Sequence, residues 1–192
     1  MTPDESLLLW VNRDLWHPVP EFLFFWVSER VSFSYPLLLA VLIYGYFRHG
    51  AAGLRIGLTL ILMVGLGDLL GGQLKDLIGQ PRPCFHWGDQ LHALGGTWLG
   101  LCEDDSNGMP SNHALGFVAT AVYLRYATQW THWRQLMPAV ALLVCLSRIY
   151  LGKHFPSQVV VGAYLGAVLG LAFAFGYRYF FPNDINTTKE TV

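Results

Sequence analysis

Five apolar stretches, roughly 32–48, 54–75, 112–129, 135–151 and 157–181, keep their charges near their ends, with Asp68 the main exception. Segments of about 17–25 such residues match the hydrocarbon thickness of a bilayer, where every backbone N–H and C=O must be satisfied within the segment. Helices do that alone. The chain is therefore expected to be an all-α integral membrane protein with about five transmembrane helices. A 53% hydrophobic, 13% charged chain of 192 residues with mean hydropathy +0.38 is also too apolar for a soluble globule of this size. Its net charge of −1, with Lys and Arg scattered singly, gives no basic stripe for nucleic acid.

Ahead of the first span, Leu7, Leu8, Trp10, Val11 and Leu15 fall on a helical period, which predicts an amphipathic helix on the membrane surface. Segment 18–31, opened by Pro18 and Pro20 and closed by Glu29 and Arg30, either continues that layer or belongs to a longer tilted first span starting near Phe22. Met1 to Glu5 is acidic and lacks the basic start of a signal peptide, so insertion is expected to rely on the spans. Residues 1–182 read as one membrane-embedded domain and 183–192 as a flexible cytoplasmic tail.

An odd number of spans puts Arg48, Arg55, Arg125, Arg134, Arg178 and Lys189 on one side and Arg13, Arg30, Lys75, Arg82, Arg148 and Lys153 on the other. With Lys75, Arg82, Arg148 and Lys153 set aside as chemistry, the positive-inside rule places the C-terminus in the cytoplasm and 79–110 outside. Glu103, Asp104 and Asp105 in that loop agree. Trp10, Trp16, Trp26, Trp87 and Trp98 then form an outer aromatic belt, with Trp130 and Trp133 an inner one. Cys84 and Cys102 share the outer loop and could close a disulfide there, whereas Cys145 reads as a buried thiol. Gly162, Gly166 and Gly170, with Ala163 and Ala167, make a small-residue stripe. Packing within a monomer is the favoured use of it, and a dimer seam the alternative.

Three short blocks lie at the outer ends of apolar segments, where charge is costly unless it has work to do. Lys75 and Arg82 bracket Gly79, and Pro81 and Pro83 fix the backbone around the arginine. Pro110-Ser111-Asn112-His113 enters the third span, with Ser111 a natural N-cap whose helix start offers backbone N–H groups to an anion. Arg148 and His154 stand six residues apart and converge only if Gly152 and Pro156 end the fourth span between them. Gln158, at i+4, can then hold the His154 imidazole in one tautomer. Asp68 can pair with a motif cation or hydrogen-bond a neighbouring helix. His86 and His92 lack ligand spacing, and no metal or cofactor is expected.

The pattern Lys-x6-Arg-Pro, Pro-Ser-x-His, Ser-Arg-x5-His resembles the type 2 phosphatidic acid phosphatase (PAP2) superfamily, whose helical core is shared with vanadium haloperoxidases. The resemblance implies His154 as nucleophile forming a phosphohistidine and His113 as general acid. Lys75, Arg82, Ser111, Asn112 (through its backbone) and Arg148 would bind the phosphate, without a metal. One departure stands out. The superfamily's usual Asp is Gln158 here, and Ser147 to Gln158 is similar to the glucose-6-phosphatase branch, while Gly108 to His113 with that Gln also resembles the dolichyl diphosphate phosphatases. The implied function is hydrolysis of a lipid phosphate entering from the bilayer: a polyprenyl diphosphate first, then phosphatidylglycerophosphate or phosphatidic acid. A glucose-6-phosphatase-like sugar phosphatase and a non-catalytic lipid-phosphate binding or transport protein are the alternatives. The expected location is a bacterial inner membrane with the site on the outer face.

Overall fold

The computed structural model describes residues 1–93, 96–97 and 107–184. Helix α1 (Pro3–Leu9) starts in a capping box, Thr2 and Glu5 each satisfying the other's backbone N–H, and runs on as a π turn, Trp10–Asp14. Leu8 and Leu9 pack beneath it on Leu91 and Phe155, while Leu7, Trp10 and Leu15 face outward. Helix α2 (Pro18–Ser28) stops where Glu29 turns extended, and a second π turn, Arg30–Ser34, leads into the next helix. The break at Glu29 decides between the two readings of 18–31: it is a separate lead-in, packed on the helix Thr131–Tyr150, and not the start of a longer span.

Helix α3 (Tyr35–Ile78) is broken at Gly50, whose φ of 54° and ψ of −128° leave the helical region. A Cβ on Gly53 would strike the Gly45 backbone, and one on Gly57 would meet Leu42 at 2.6 Å. Residues 42 and 57 would lie about 22 Å apart along an unbroken helix. The two arms, 35–49 and 51–78, are thus antiparallel. They correspond to the first two apolar stretches, and Gly50 supplies the positive φ that their tight junction needs.

A short helix α4 (Cys84–Trp87) and a ribbon of β1 (His92–Ala93) and β2 (Gly96–Thr97) follow. Helices α5 (Asn112–Ala127), α6 (Thr131–Tyr150) and α7 (Pro156–Phe180) complete the bundle. Helix α5 is its axis. The glycine stripe of α7 lies against it, since added Cβ atoms on Gly162, Gly166 and Gly170 would hit the carbonyl oxygens of Ser111, Leu115 and Ala119. The stripe is spent inside the chain, as helix contact through small residues requires.

Among the described residues, two segments are long and apolar enough to cross a membrane, Arg30–Ile78, which contains the hairpin, and Pro156–Phe180. With Leu62, Leu69, Leu142, Val160, Tyr164 and Phe175 exposed around the bundle, they suggest a membrane protein.

Two expectations change at the end away from the motifs. Trp130 is no belt residue: it is fully buried, stacked on His49 and packed against Gly45. The tail expected from residue 183 is anchored as far as Asp184, which accepts hydrogen bonds from Arg55 at 2.6 and 2.8 Å and from the Tyr177 hydroxyl at 2.6 Å. The Arg55 guanidinium holds that carboxyl below its usual range. Residues 185–192, Trp98, Cys102 and the acids 103–105 lie outside the described residues, and with Cys102 so does the expected bridge, although Cys84 is disulfide-bonded and Cys145 free.

Candidate active site

Hairpin, α5, and the turn between α6 and α7 bring all three motif blocks to one end of the bundle. Gly152, at φ 65°, ends α6, and the amides of Lys153 and His154 both fold back to the Arg148 carbonyl at 3.1 Å. That reversal brings His154 back beside the end of α6. Pro156 then opens α7.

Gln158 is buried in the first turn of α7 and joins the blocks. Its backbone carbonyl accepts from Ser111 N–H at 3.0 Å, and its side-chain Nε2 donates to the Pro81 carbonyl at 2.9 Å. Its Oε1 accepts from Phe155 N–H at 3.2 Å. A backbone N–H can only donate and a proline carbonyl can only accept, so these partners fix which end of the amide is which. Oε1, 3.1 Å from His154 Nδ1, must therefore accept a hydrogen bond from the proton on that nitrogen. The neutral ring then carries its lone pair on Nε2.

Glutamine is thus the residue this architecture uses, since a carboxylate could not donate to Pro81. Gly108 makes the space, because a Cβ there would collide with the Gln158 amide. His154 is 2% exposed, and burial, then the charges of Arg148, Arg82 and Lys75, hold its pKa well below the ordinary imidazole value. The ring is neutral at physiological pH.

Ser111 occupies the N-cap position of α5, but its hydroxyl makes no capping bond. That oxygen is buried and has no hydrogen-bond partner among the described residues. The same holds for Nε of Arg148, which is 4% exposed. Buried donors of this kind suit an anion. Asn112 turns its side chain to α3, its Nδ2 lying 3.3 Å from both the carbonyl and the carboxylate of Asp68. Asp68 is therefore a helix-to-helix tie through Asn112. Lys75 is half-buried in the last turn of α3, where Gly79 caps the helix, and Arg82 follows in the loop joined to 107–108.

One contributor escaped the sequence reading. Ser28, the last residue of α2, accepts a hydrogen bond on its carbonyl from His113 Nε2 at 3.1 Å, and its hydroxyl bonds Arg148. A carbonyl only accepts, so His113 carries a proton on Nε2. Next to it, Glu29 approaches Lys153 at 3.7 Å. Burial and the Arg148 charge bring that ammonium down to about 8. Nothing local in the sequence marks Ser28, which lies 85 and 120 residues from its partners. His92 stacks on Trp16, and its backbone is held by Asn12, a structural use. Among the described residues no group of three or more His, Cys, Asp or Glu side chains converges on one point.

Residues 56–182 match the family model described as the PAP2 superfamily. A dolichyldiphosphatase of Saccharomyces cerevisiae is 32% identical over 120 residues, covering 57% of this chain and 47% of that protein. Glucose-6-phosphatase 3 of Bos taurus is 41% identical over 137 residues, covering 62% and 39%. The chain thus spans about half or less of these curated relatives. A transmembrane PAP2-type phosphatidylglycerolphosphate phosphatase from Bacillus subtilis superposes with a TM-score of 0.69 at 21% identity, over 93% of this chain and 85% of that one. The fold is the same.

Proposed function

Since the chain belongs to the PAP2 superfamily, we propose that it is an integral membrane phosphatase that removes the terminal phosphate of a polyprenyl diphosphate through a phosphohistidine on His154. The two α3 arms, α5, α6 and α7 are its five spans, and α1 and α2 lie at the outer interface. The cation count turns the site outward. In a bacterium this would be the outer face of the inner membrane.

One observation carries the substrate class. A groove between the α3 arms and α5 is headed by Arg30, Asp68, Asn112 and His113, and is lined beneath them by Leu38, Val41, Leu60, Val64, Phe117 and Met137. A polar head above an apolar slot fits a phosphorylated lipid chain, whereas a hexose would leave the slot unused.

In the reaction, Nε2 of His154 attacks phosphorus in line with the leaving oxygen. Lys75, Arg82, Arg148, the Ser111 hydroxyl and the first amides of α5 neutralise the equatorial oxygens. His113, its Nε2–H held by the Ser28 carbonyl, acts as the imidazolium that gives its Nδ1 proton to the leaving oxygen, and the neutral ring later takes one from the water that hydrolyses the phosphohistidine. These cations carry the role a metal would otherwise fill, so turnover is expected to persist in EDTA.

The test is phosphate release from a panel of undecaprenyl diphosphate, phosphatidylglycerophosphate, phosphatidic acid and glucose 6-phosphate, with EDTA present. The diphosphate should give the highest kcat/KM. Glucose 6-phosphate as best substrate would favour the sugar-phosphatase reading, which the third motif supports. Phosphate binding without turnover would leave a binding or transport protein.

Gln158→Glu is expected to lower kcat/KM about 10–100-fold, because a carboxylate oxygen would face the Pro81 carbonyl, acceptor against acceptor. The pH profile separates this from a general loss. His154 must be neutral to attack, so activity falls as pH drops through its pKa, which in the native site lies well below 6.5. A carboxylate raises that pKa, and the acid limb should move upward relative to the native enzyme on the same substrate. An unmoved limb would argue against His154 as the group titrating.

A further inference from the structure

We infer that Arg30 binds the lipid-proximal phosphate of a diphosphate substrate, and so sets the preference for diphosphates over monoesters; this rests on the lipid-phosphatase reading above. Arg30 begins the π turn between α2 and α3 and is exposed at the head of the apolar groove, alongside His113 and Asn112. Lys75, Arg82, Arg148 and His154 do not line that groove. The arginine therefore stands on the lipid side of the reacting phosphate. Its neighbour Glu29 is drawn towards Lys153, and among the described residues Arg30 has no ion-pair partner. Its charge is nonetheless felt at Lys75, His113 and Arg148, so it belongs to the same electrostatic site.

The chemistry explains why such a charge is useful. As His154 Nε2 forms its bond to the terminal phosphorus, the bond from that phosphorus to the bridging oxygen breaks. The bridging oxygen departs with the electron pair as part of a polyprenyl monophosphate. A phosphate monoester has its second pKa near ~6, so this leaving group can depart as a dianion near neutral pH. An alcohol leaving from a monoester depends far more on the His113 proton. Charge neutralisation by a guanidinium is the fitting device for the first case, and its planar fork suits two phosphate oxygens.

The test compares Arg30→Gln and Arg30→Lys with the native protein in two measurements. In the first, the ratio of kcat/KM for undecaprenyl diphosphate to that for phosphatidic acid should fall about 10–100-fold in Arg30→Gln, with part of it restored in Arg30→Lys. In the second, calorimetric titration with methylenebisphosphonate and with orthophosphate should show the affinity ratio falling about tenfold or more in Arg30→Gln. This binding measurement needs no turnover, so it reads Arg30 even if the panel shows the enzyme to prefer another substrate. An unchanged affinity ratio, or native protein that binds methylenebisphosphonate no better than orthophosphate, would overturn the assignment.

Discussion

His154→Asn is expected to bring phosphate release to background, at least about four orders of magnitude below the native rate, because the covalent route is lost with the nucleophile. Orthophosphate should still bind, since Lys75, Arg82, Arg148 and Ser111 remain. The imidazole is buried and held through Nδ1 by Gln158, so the reactive nitrogen has a single orientation and a single protonation state. Rapid quenching of the native enzyme with labelled substrate should trap acid-labile, base-stable label on the protein, and the variant should trap none. A variant that kept even one hundredth of native turnover would remove His154 from the role of nucleophile.

Arg148→Met has the second largest expected effect, and it splits activity from stability. Arg148 is buried among Arg82, Arg30 and other cations, with the Ser28 hydroxyl its direct neighbour and Glu29 the opposing charge. Burying a charge among like charges costs free energy that a bound phosphate repays. The variant should lose about 10²–10³-fold in kcat/KM, as when a donor to the transition-state oxygens is removed. Without ligand it should melt at the same temperature or higher. Orthophosphate should raise the melting temperature of the native protein more than that of the variant. A variant that is both inactive and less stable without phosphate would make Arg148 a structural residue.

Much of this design was legible in the chain because apolar runs and helix breakers act locally. The five stretches became the two α3 arms, α5, α6 and α7, and Gly152 with Pro156 makes the reversal that unites Arg148 and His154. What was not legible depends on partners far away. Ser111 sits at an N-cap, but whether its hydroxyl caps is settled by the packing of α5 on α7, and it does not. Trp130 has the composition of a belt residue, yet Gly45 opens a space for it inside. Gln158 could be judged against His154 by spacing alone, while its bond to Pro81 spans 77 residues and has no local signature. Gln158, standing where the superfamily usually has Asp, ties His154, Phe155 and Pro81 together.

The N-terminal contacts bear on the order in which the protein can be completed. Asp4 holds Ser157 at the start of α7 through two hydrogen bonds, and Asn12 holds the Tyr150 carbonyl at the end of α6. Helix α1 is therefore docked by residues made about 140–150 positions later. Such distant closure is slow relative to hairpin formation within the bundle. During synthesis α1 must wait while the helices between it and its partners assemble, and the end of the bundle that carries the motifs is sealed only when α7 arrives. A nascent chain halted after α6 would lack His154, Gln158 and the Ser157 anchor for Asp4, so the motif blocks could not be joined.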